Sequence, residues 1–182
     1  LAVETWPSTQ LRGVRAVRDF AVKDERGTVL ARASSLWVIV DLATRKPLRV
    51  PEAIAALRTD PGYIIPEFRS MIDPVPAQGS GRLFCAEWSD CDQNEHVNNV
   101  SYVRWAVDAL PREVLEVEAL TMFEAHYLRE IGLGDSVRVY TELEGKSARQ
   151  TLYLSSGEVA ATFLVSWGEA PEGRPEASAE AR

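Results

Sequence analysis

Long apolar runs are absent from this chain. Nowhere among its 182 residues do the roughly 20 consecutive hydrophobic positions needed to cross a bilayer occur, so no membrane insertion is expected. Cysteine is scarce, with only two, Cys85 and Cys91. Their spacing is not that of a metal knuckle, and a disulfide framework would carry more of them. A reducing compartment is therefore expected. Histidine is equally scarce, with two, and neither zinc nor any other metal is expected, because no Cys or His spacing would bring ligands to His96 or His126. An excess of positive charge is also lacking: the formal net charge is −7, which argues against general nucleic-acid binding. No basic stretch followed by an apolar core and a small-residue cleavage site opens the sequence. The expected location is the cytoplasm, or the plastid stroma if the source bears plastids.

What is present is ordinary for a folded domain: 46% hydrophobic and 26% charged residues, enough for one large or two small cores. Charge is uneven. Residues 1–60 carry ten Lys or Arg against seven acids, a net of +3, which leaves −10 for the rest. Such a basic first third suits docking of an acidic partner, although solvated charges on the outer face of strands would look the same.

Along the chain, Val14 to Val22 is rich in β-formers, Asp24-Glu25-Arg26-Gly27 is a turn signal, and Thr28 to Val40 forms a second arm. Residues 51–59 suit a short helix opened by Pro51. Prolines and glycines then interrupt the chain up to Gly81, which predicts a crossover linker. Arg82 to Trp88 is read as a strand. Val97 to Leu110 is read as a helix with apolar residues at Val100, Val103, Val107 and Leu110, with a further helical turn after Pro111. Strands follow at about 120–130, 135–144, 148–155 and 158–168, and a tail from Pro171 has the composition of disorder. A weak repeat links Gly27-x-Val29-x-Ala31 leading to Trp37 with Gly157-x-Val159-x-Ala161 leading to Trp167. If it is real, residues 1–40 match the closing strands of the second half. With Leu rather than Met at position 1, roughly the first strand and helix of that module are then expected to be missing from this sequence.

The chemistry-bearing segment is Ser89-Asp90-Cys91-Asp92-Gln93-Asn94-Glu95-His96-Val97-Asn98-Asn99-Val100-Ser101-Tyr102. Asp92, Asn94 and His96 alternate, and extended backbone would place all three on one face. The following helix would aim its free N–H groups and positive dipole end at that face. A carboxylate or imidazole that activates water, amide donors for an oxyanion and an apolar wall are what thioester hydrolysis requires. Pure helix capping by Asp90, Asp92 and Asn94 competes with this reading. A calcium loop does not, because Glu95 and Ser101 stand where Gly and Glu are needed. His126, in a strand-like run, is expected to be structural.

The string Asp92-x-Asn94-x-His96-Val97-Asn98-Asn99-Val100-x-Tyr102, followed by Trp105 and Pro111, resembles the second-domain motif of acyl-ACP (acyl carrier protein) thioesterases. Thr5-Trp6, Arg18-Asp19, Ser34-x-x-Trp37-Val38 and Thr44-Arg45 resemble the first domain, so the likeness runs from about residue 3 to residue 168. The resemblance implies an α+β double hotdog, two modules each with a long helix wrapped by an antiparallel sheet. An incomplete N-terminal module would occupy residues 1–70, a linker 71–81, a catalytic module 82–169 and a disordered tail 170–182. It implies hydrolysis of a fatty acyl-ACP by Asp92, Asn94, His96 and Glu130, with no cofactor. Substrate contacts are expected from Asn98, Asn99, Tyr102 and Trp37, and carrier docking from Arg12, Arg15, Arg45, Lys46 and Arg49. The expected partner is an acyl carrier protein bearing a fatty acyl chain, and the protein itself is expected as a monomer or homodimer. Plastid-type relatives often place Cys after the Glu; here Ile131 stands there, so a papain-like nucleophile is not expected. An acyl-CoA thioesterase and a non-catalytic acyl-binding hotdog are the alternatives.

Overall fold

A computed structural model of the chain describes residues 1–8, 13–41, 43–44, 46–57, 71–117 and 119–168. The chain divides into two compact units, Leu1–Phe68 and Arg69–Arg182. The tail expected to be disordered lies outside the described residues.

The first unit is built on a three-stranded antiparallel sheet in the order β1 (Ala2–Pro7), β2 (Arg15–Lys23), β3 (Val29–Val38). The turn between β2 and β3 forms because the Asp24 carboxylate accepts the amides of Arg26 and Thr28 at 2.9 and 2.7 Å. Gly27 supplies the positive φ of 81° that closes it. Pro51 precedes the one-turn helix α1 (Glu52–Ala55), shorter than the stretch to residue 59 that the sequence suggested.

The second unit holds β4 (Arg82–Cys85), a 3-10 turn (Trp88–Asp90), α2 (Asn99–Asp108), α3 (Arg112–Val117), β5 (Ala119–Tyr127), β6 (Ser136–Glu144), β7 (Ser147–Leu154) and β8 (Val159–Gly168). Its five strands run antiparallel in the order β4-β6-β7-β8-β5. Alternation places Val137 and Val139 of β6 and Ala148 and Leu152 of β7 in one core with Phe163 and Val165 of β8 and with Tyr102, Trp105 and Ala106 of α2. Gln150, fully buried, donates its Nε2 to the Ala106 carbonyl at 2.8 Å and to Thr141 Oγ1 at 3.0 Å, tying helix to sheet. β7 is covered on its other side too. Ile72 and Val75 of the irregular stretch before β4 are buried, Val75 N–H donates to Thr151 Oγ1 at 2.8 Å, and Tyr153 donates its hydroxyl to the Val75 carbonyl.

Two readings of the sequence need correction. The strand expected to reach Trp88 ends at Cys85, because the chain turns at residues 88–90, where the Asp90 carboxylate accepts the Glu87 amide at 2.9 Å. The helix begins at Asn99, not Val97, and buries Ser101, Tyr102, Trp105 and Ala106, whereas Val100 is 72% exposed. Val97 instead donates its amide to the Ile131 carbonyl. The helix is rotated toward its two aromatic rings because these remove the most apolar area from water. The repeat is present in the geometry. Val22 pairs with Ala31 and Lys23 with Val29; Leu152 pairs with Ala161 and Tyr153 with Val159, with the same register slip in each hairpin. Gly157, like Gly27, has positive φ.

Candidate active site

Asp92, Asn94 and His96 do meet, but not by the alternation of an extended strand. The segment is a tight turn between the bridged residues Cys91 and Val97. Asp92 N–H donates to the His96 carbonyl at 2.9 Å, and Glu95 N–H donates to the Asp92 carbonyl at 3.1 Å. The Asp92 carboxylate accepts the Asn94 amide at 2.8 Å and lies 3.4 Å from Asn94 Nδ2. Glu95 closes the turn with φ of 64°, a left-handed conformation uncommon for this residue type. A polar turn held by its own first carboxylate is what Asp and Asn at these positions favour.

An open cleft of about 340 Å³ is lined by this turn, by Val97, Asn99 and Tyr102, and by the segment Tyr127–Glu130. Glu130 enters because His96 bridges to Gly132 across antiparallel backbone and Val97 N–H donates to the Ile131 carbonyl at 2.8 Å. His96 Nε2 stands 3.6 Å from Glu130 Oε2, with 43% and 63% of the two side chains exposed. The imidazole is thus open to a substrate and has a carboxylate at ion-pair distance. Tyr102 is 2% exposed; its hydroxyl donates to the Arg129 carbonyl at 2.9 Å, and its ring meets Tyr127 edge-on at 5.4 Å. Burial pushes its pKa up to about 12.

The base of the turn hangs on Asp90. Its carbonyl accepts the Asn98 amide at 2.8 Å and the Ser101 hydroxyl at 3.4 Å, while its carboxylate pairs with Arg104. Burial works to raise the Asp90 pKa. Hydrogen bonds from the Glu87 amide and Ser101 and the nearby Arg104 charge outweigh it, so the carboxyl lies below its ordinary value.

Of the residues expected to contact substrate, Asn99 and Tyr102 line the cleft and Asn98 does not. Asn98 is the helix N-cap: its Oδ1 accepts the Val100 amide at 2.9 Å and its carbonyl accepts the Ser101 amide. Two of the helix amides expected to face the site are therefore already engaged. Trp37 lies on β3 of the first unit, 58% exposed, with its indole N–H on Ser35 Oγ. Arg12 and Arg45 fall outside the described residues. Arg15, Lys46 and Arg49 are exposed at one end of the first sheet, where Val50 N–H reaches the Gly13 carbonyl, Leu48 N–H reaches that of Ile39, and Val40 bridges to Pro47. Tyr127, Leu128 and Arg129 line the cleft without having been expected to; their adjacency to Glu130 was the available signal. Ile131 is fully buried in the core. His126 makes an ion-pair contact with Glu124 at 3.0 Å, outside the cleft lining. Among the described residues no group of His, Cys, Asp and Glu could hold a metal ion.

Comparison with known proteins agrees with this architecture. The family model for the acyl-ACP thioesterase C-terminal domain matches residues 76–169, and that for the N-terminal domain matches residues 1–57. The chloroplastic palmitoyl-acyl carrier protein thioesterase of Gossypium hirsutum is 35% identical over 146 residues, 71% of this chain and 33% of that protein. The corresponding enzyme of Arabidopsis thaliana is 33% identical over 159 residues, 79% of this chain and 36% of that protein. The chain thus spans about a third of the length of these relatives. The crystal structure of an acyl-ACP thioesterase from Bacteroides thetaiotaomicron superposes with a TM-score of 0.83 at 27% identity, over 91% of this chain and 68% of that one. The 12:0-ACP thioesterase from Umbellularia californica superposes at 0.78 and 24% identity, covering 92% and 67%, which bears on the fold alone. Both domain models, these relatives and the hotdog fold converge on one statement: this chain belongs to the acyl-ACP thioesterase family.

Proposed function

We propose that the protein hydrolyses the thioester of a fatty acyl-ACP to a free fatty acid and the carrier thiol. The observation that carries this reading is His96 Nε2 at 3.6 Å from Glu130 Oε2 in a cleft that Asp92 and Asn94 also line. His96, oriented by Glu130, takes a proton from a water whose oxygen bonds to the acyl carbon. The carbonyl oxygen becomes an oxyanion, held by Asn94 Nδ2 and the amide of Asn99 at the start of α2. Collapse breaks the carbon–sulfur bond, and the imidazolium returns its proton to the departing thiolate. Asp92 acts as the orienting carboxylate. Its contacts with the Asn94 amide and Nδ2 at 2.8 and 3.4 Å support that role over nucleophilic attack. The cleft, at the small end of ligand pockets and lined by both polar and apolar side chains, takes the thioester and its neighbouring atoms, while the acyl chain extends beyond it.

Arg15, Lys46 and Arg49 are proposed to meet the acidic surface of the carrier, with the protein as monomer or homodimer. The site of action is an aqueous compartment, plastid stroma or cytoplasm; among the described residues no helix is long and apolar enough to cross a membrane, and the relatives are described as chloroplastic. The test is hydrolysis of a series of acyl-ACPs and matching acyl-CoAs by the protein and its Asp92→Asn and His96→Ala variants. Both substitutions are expected to lower kcat/KM for acyl-ACP by about 100-fold or more. Wild-type rates in both variants would leave a non-catalytic acyl-binding protein, and equal kcat/KM for both carriers would remove the carrier-protein assignment.

A further inference from the structure

Glu130 presents a problem of placement. Its side chain is 63% exposed, so packing does not fix where the carboxylate points, yet the proposed chemistry needs it beside His96. The backbone on either side contributes to that placement. Here the structure is specific. On the far side, the Ile131 carbonyl accepts the Val97 amide at 2.8 Å, next to His96. On the near side, the amides of Leu128 and Arg129 both donate to the Ala160 carbonyl at 2.8 and 3.1 Å. The Arg129 carbonyl, in the peptide unit that leads directly into Glu130, accepts the Tyr102 hydroxyl at 2.9 Å.

We propose that Tyr102 is a positioning residue for Glu130, reaching from α2 to hold the Arg129–Glu130 peptide so that the carboxylate stands opposite the imidazole. This replaces the expectation that Tyr102 binds substrate, and it rests on the hydrolytic reading of the cleft. Three features suit the hydroxyl to this work. It is carried on the buried face of the helix, locked between Trp105 at 6.1 Å and Tyr127 at 5.4 Å, so its reach is fixed. Its side chain is buried, which shields the donor side of the bond from water. Its raised pKa of about 12 keeps it a donor across the range in which a thioester would be turned over. The helix that follows the motif turn thereby sets the distance between the two halves of the site: Asn98 begins it, and one turn later Tyr102 grips the opposite strand end.

The experiment is a double-mutant cycle on acyl-ACP hydrolysis by the full chain. Tyr102→Phe keeps both ring contacts and removes the hydroxyl. It is expected to lower kcat about 10-fold, the effect of one lost hydrogen bond felt at the reacting groups, with KM within about twofold. In the Glu130→Gln background the same substitution is expected to cost less than about twofold, because the group it positions is already disabled. An equal loss in both backgrounds, or a rise in KM at unchanged kcat, overturns the proposal. Unaltered kcat in Glu130→Gln overturns instead the role given to Glu130. Replacing Tyr102 by 4-aminophenylalanine, which still donates, should restore kcat, and 4-fluorophenylalanine, which cannot, should not. That pair decides the matter even if Tyr102→Phe does not fold, and a lack of difference between the two analogues counts against the proposal.

Discussion

Ile131 and Glu95 show how far single side chains are decided by their surroundings. Ile131 follows Glu130 directly, yet it points into the core and is fully buried, while Glu130 faces the cleft. A thiol at this position would therefore sit among Val97, Tyr102 and other core side chains, away from any thioester. Ile131→Cys is expected to give no gain in hydrolysis and to destabilise by roughly 1–2 kcal/mol through lost methyl groups, measured as a lower urea midpoint with unchanged m-value. Glu95 is the one non-glycine among the described residues with positive φ. Its side chain is exposed, and the left-handed backbone is held by the hydrogen bonds of the turn, among them its own amide on the Asp92 carbonyl. Glu95→Asn, a residue several-fold better represented in that region, should stabilise by up to about 1 kcal/mol, visible as a raised Tm with little change in kcat. A lowered Tm would show that the Glu95 side chain makes a contact worth more than the strain.

At the scale of elements, the motif turn is held at its root by Asp90, which links the 3-10 turn to the first turn of α2. Its carboxylate is 3% exposed and engages Glu87 and Arg104. Replacing it with Asn leaves Arg104 without its partner and is expected to cost about 2–3 kcal/mol. The pH dependence has a definite sign. The folded pKa lies below the ordinary carboxyl value of 3.8, so the folded state favours the ionised form. The stabilisation is complete above about pH 4 and is lost as pH falls through the folded pKa. The stability difference between wild type and Asp90→Asn should hold steady at neutral pH and shrink on acidification below about pH 4. Denaturant titrations at a series of pH values would read it, and a gap that widened in acid would contradict the assignment. The motif residues themselves were legible in the sequence; the turn that joins them was not. Alternation suggested an extended segment, but an Asp followed two residues later by Asn can instead fold back on its own amide, and local spacing cannot choose between the two.

For the whole molecule, the repeated hairpin is the clearest link between sequence and architecture. The two hairpins share a glycine at the turn, a register slip and a trailing Trp, but Trp167 is 8% exposed and Trp37 58%. The basic end of the first unit, with Arg15, Lys46 and Arg49, is the surface proposed to receive the carrier. Reversing two of these charges (Arg15→Glu with Arg49→Glu) is expected to raise KM for acyl-ACP about 10-fold, with a weakened salt dependence. Hydrolysis of the corresponding acyl-CoA should be unchanged. Equal effects on both substrates would point to damage of the fold instead of a lost docking surface.

The sequence by itself determined the candidate reactive groups, most of the strands and the hairpin repeat, because these depend on residue type and on the short periods of backbone geometry. Only the tertiary structure decided that α2 buries Tyr102 and Trp105 while leaving Val100 in water, that Asn98 caps the helix, and that Ile131 lies in the core. Only it brought Glu130 to within 3.6 Å of His96. Those outcomes depend on which surfaces exclude most water and which backbone amides find partners across the sheet. Both are properties of the packed chain, set by residues far apart in the sequence.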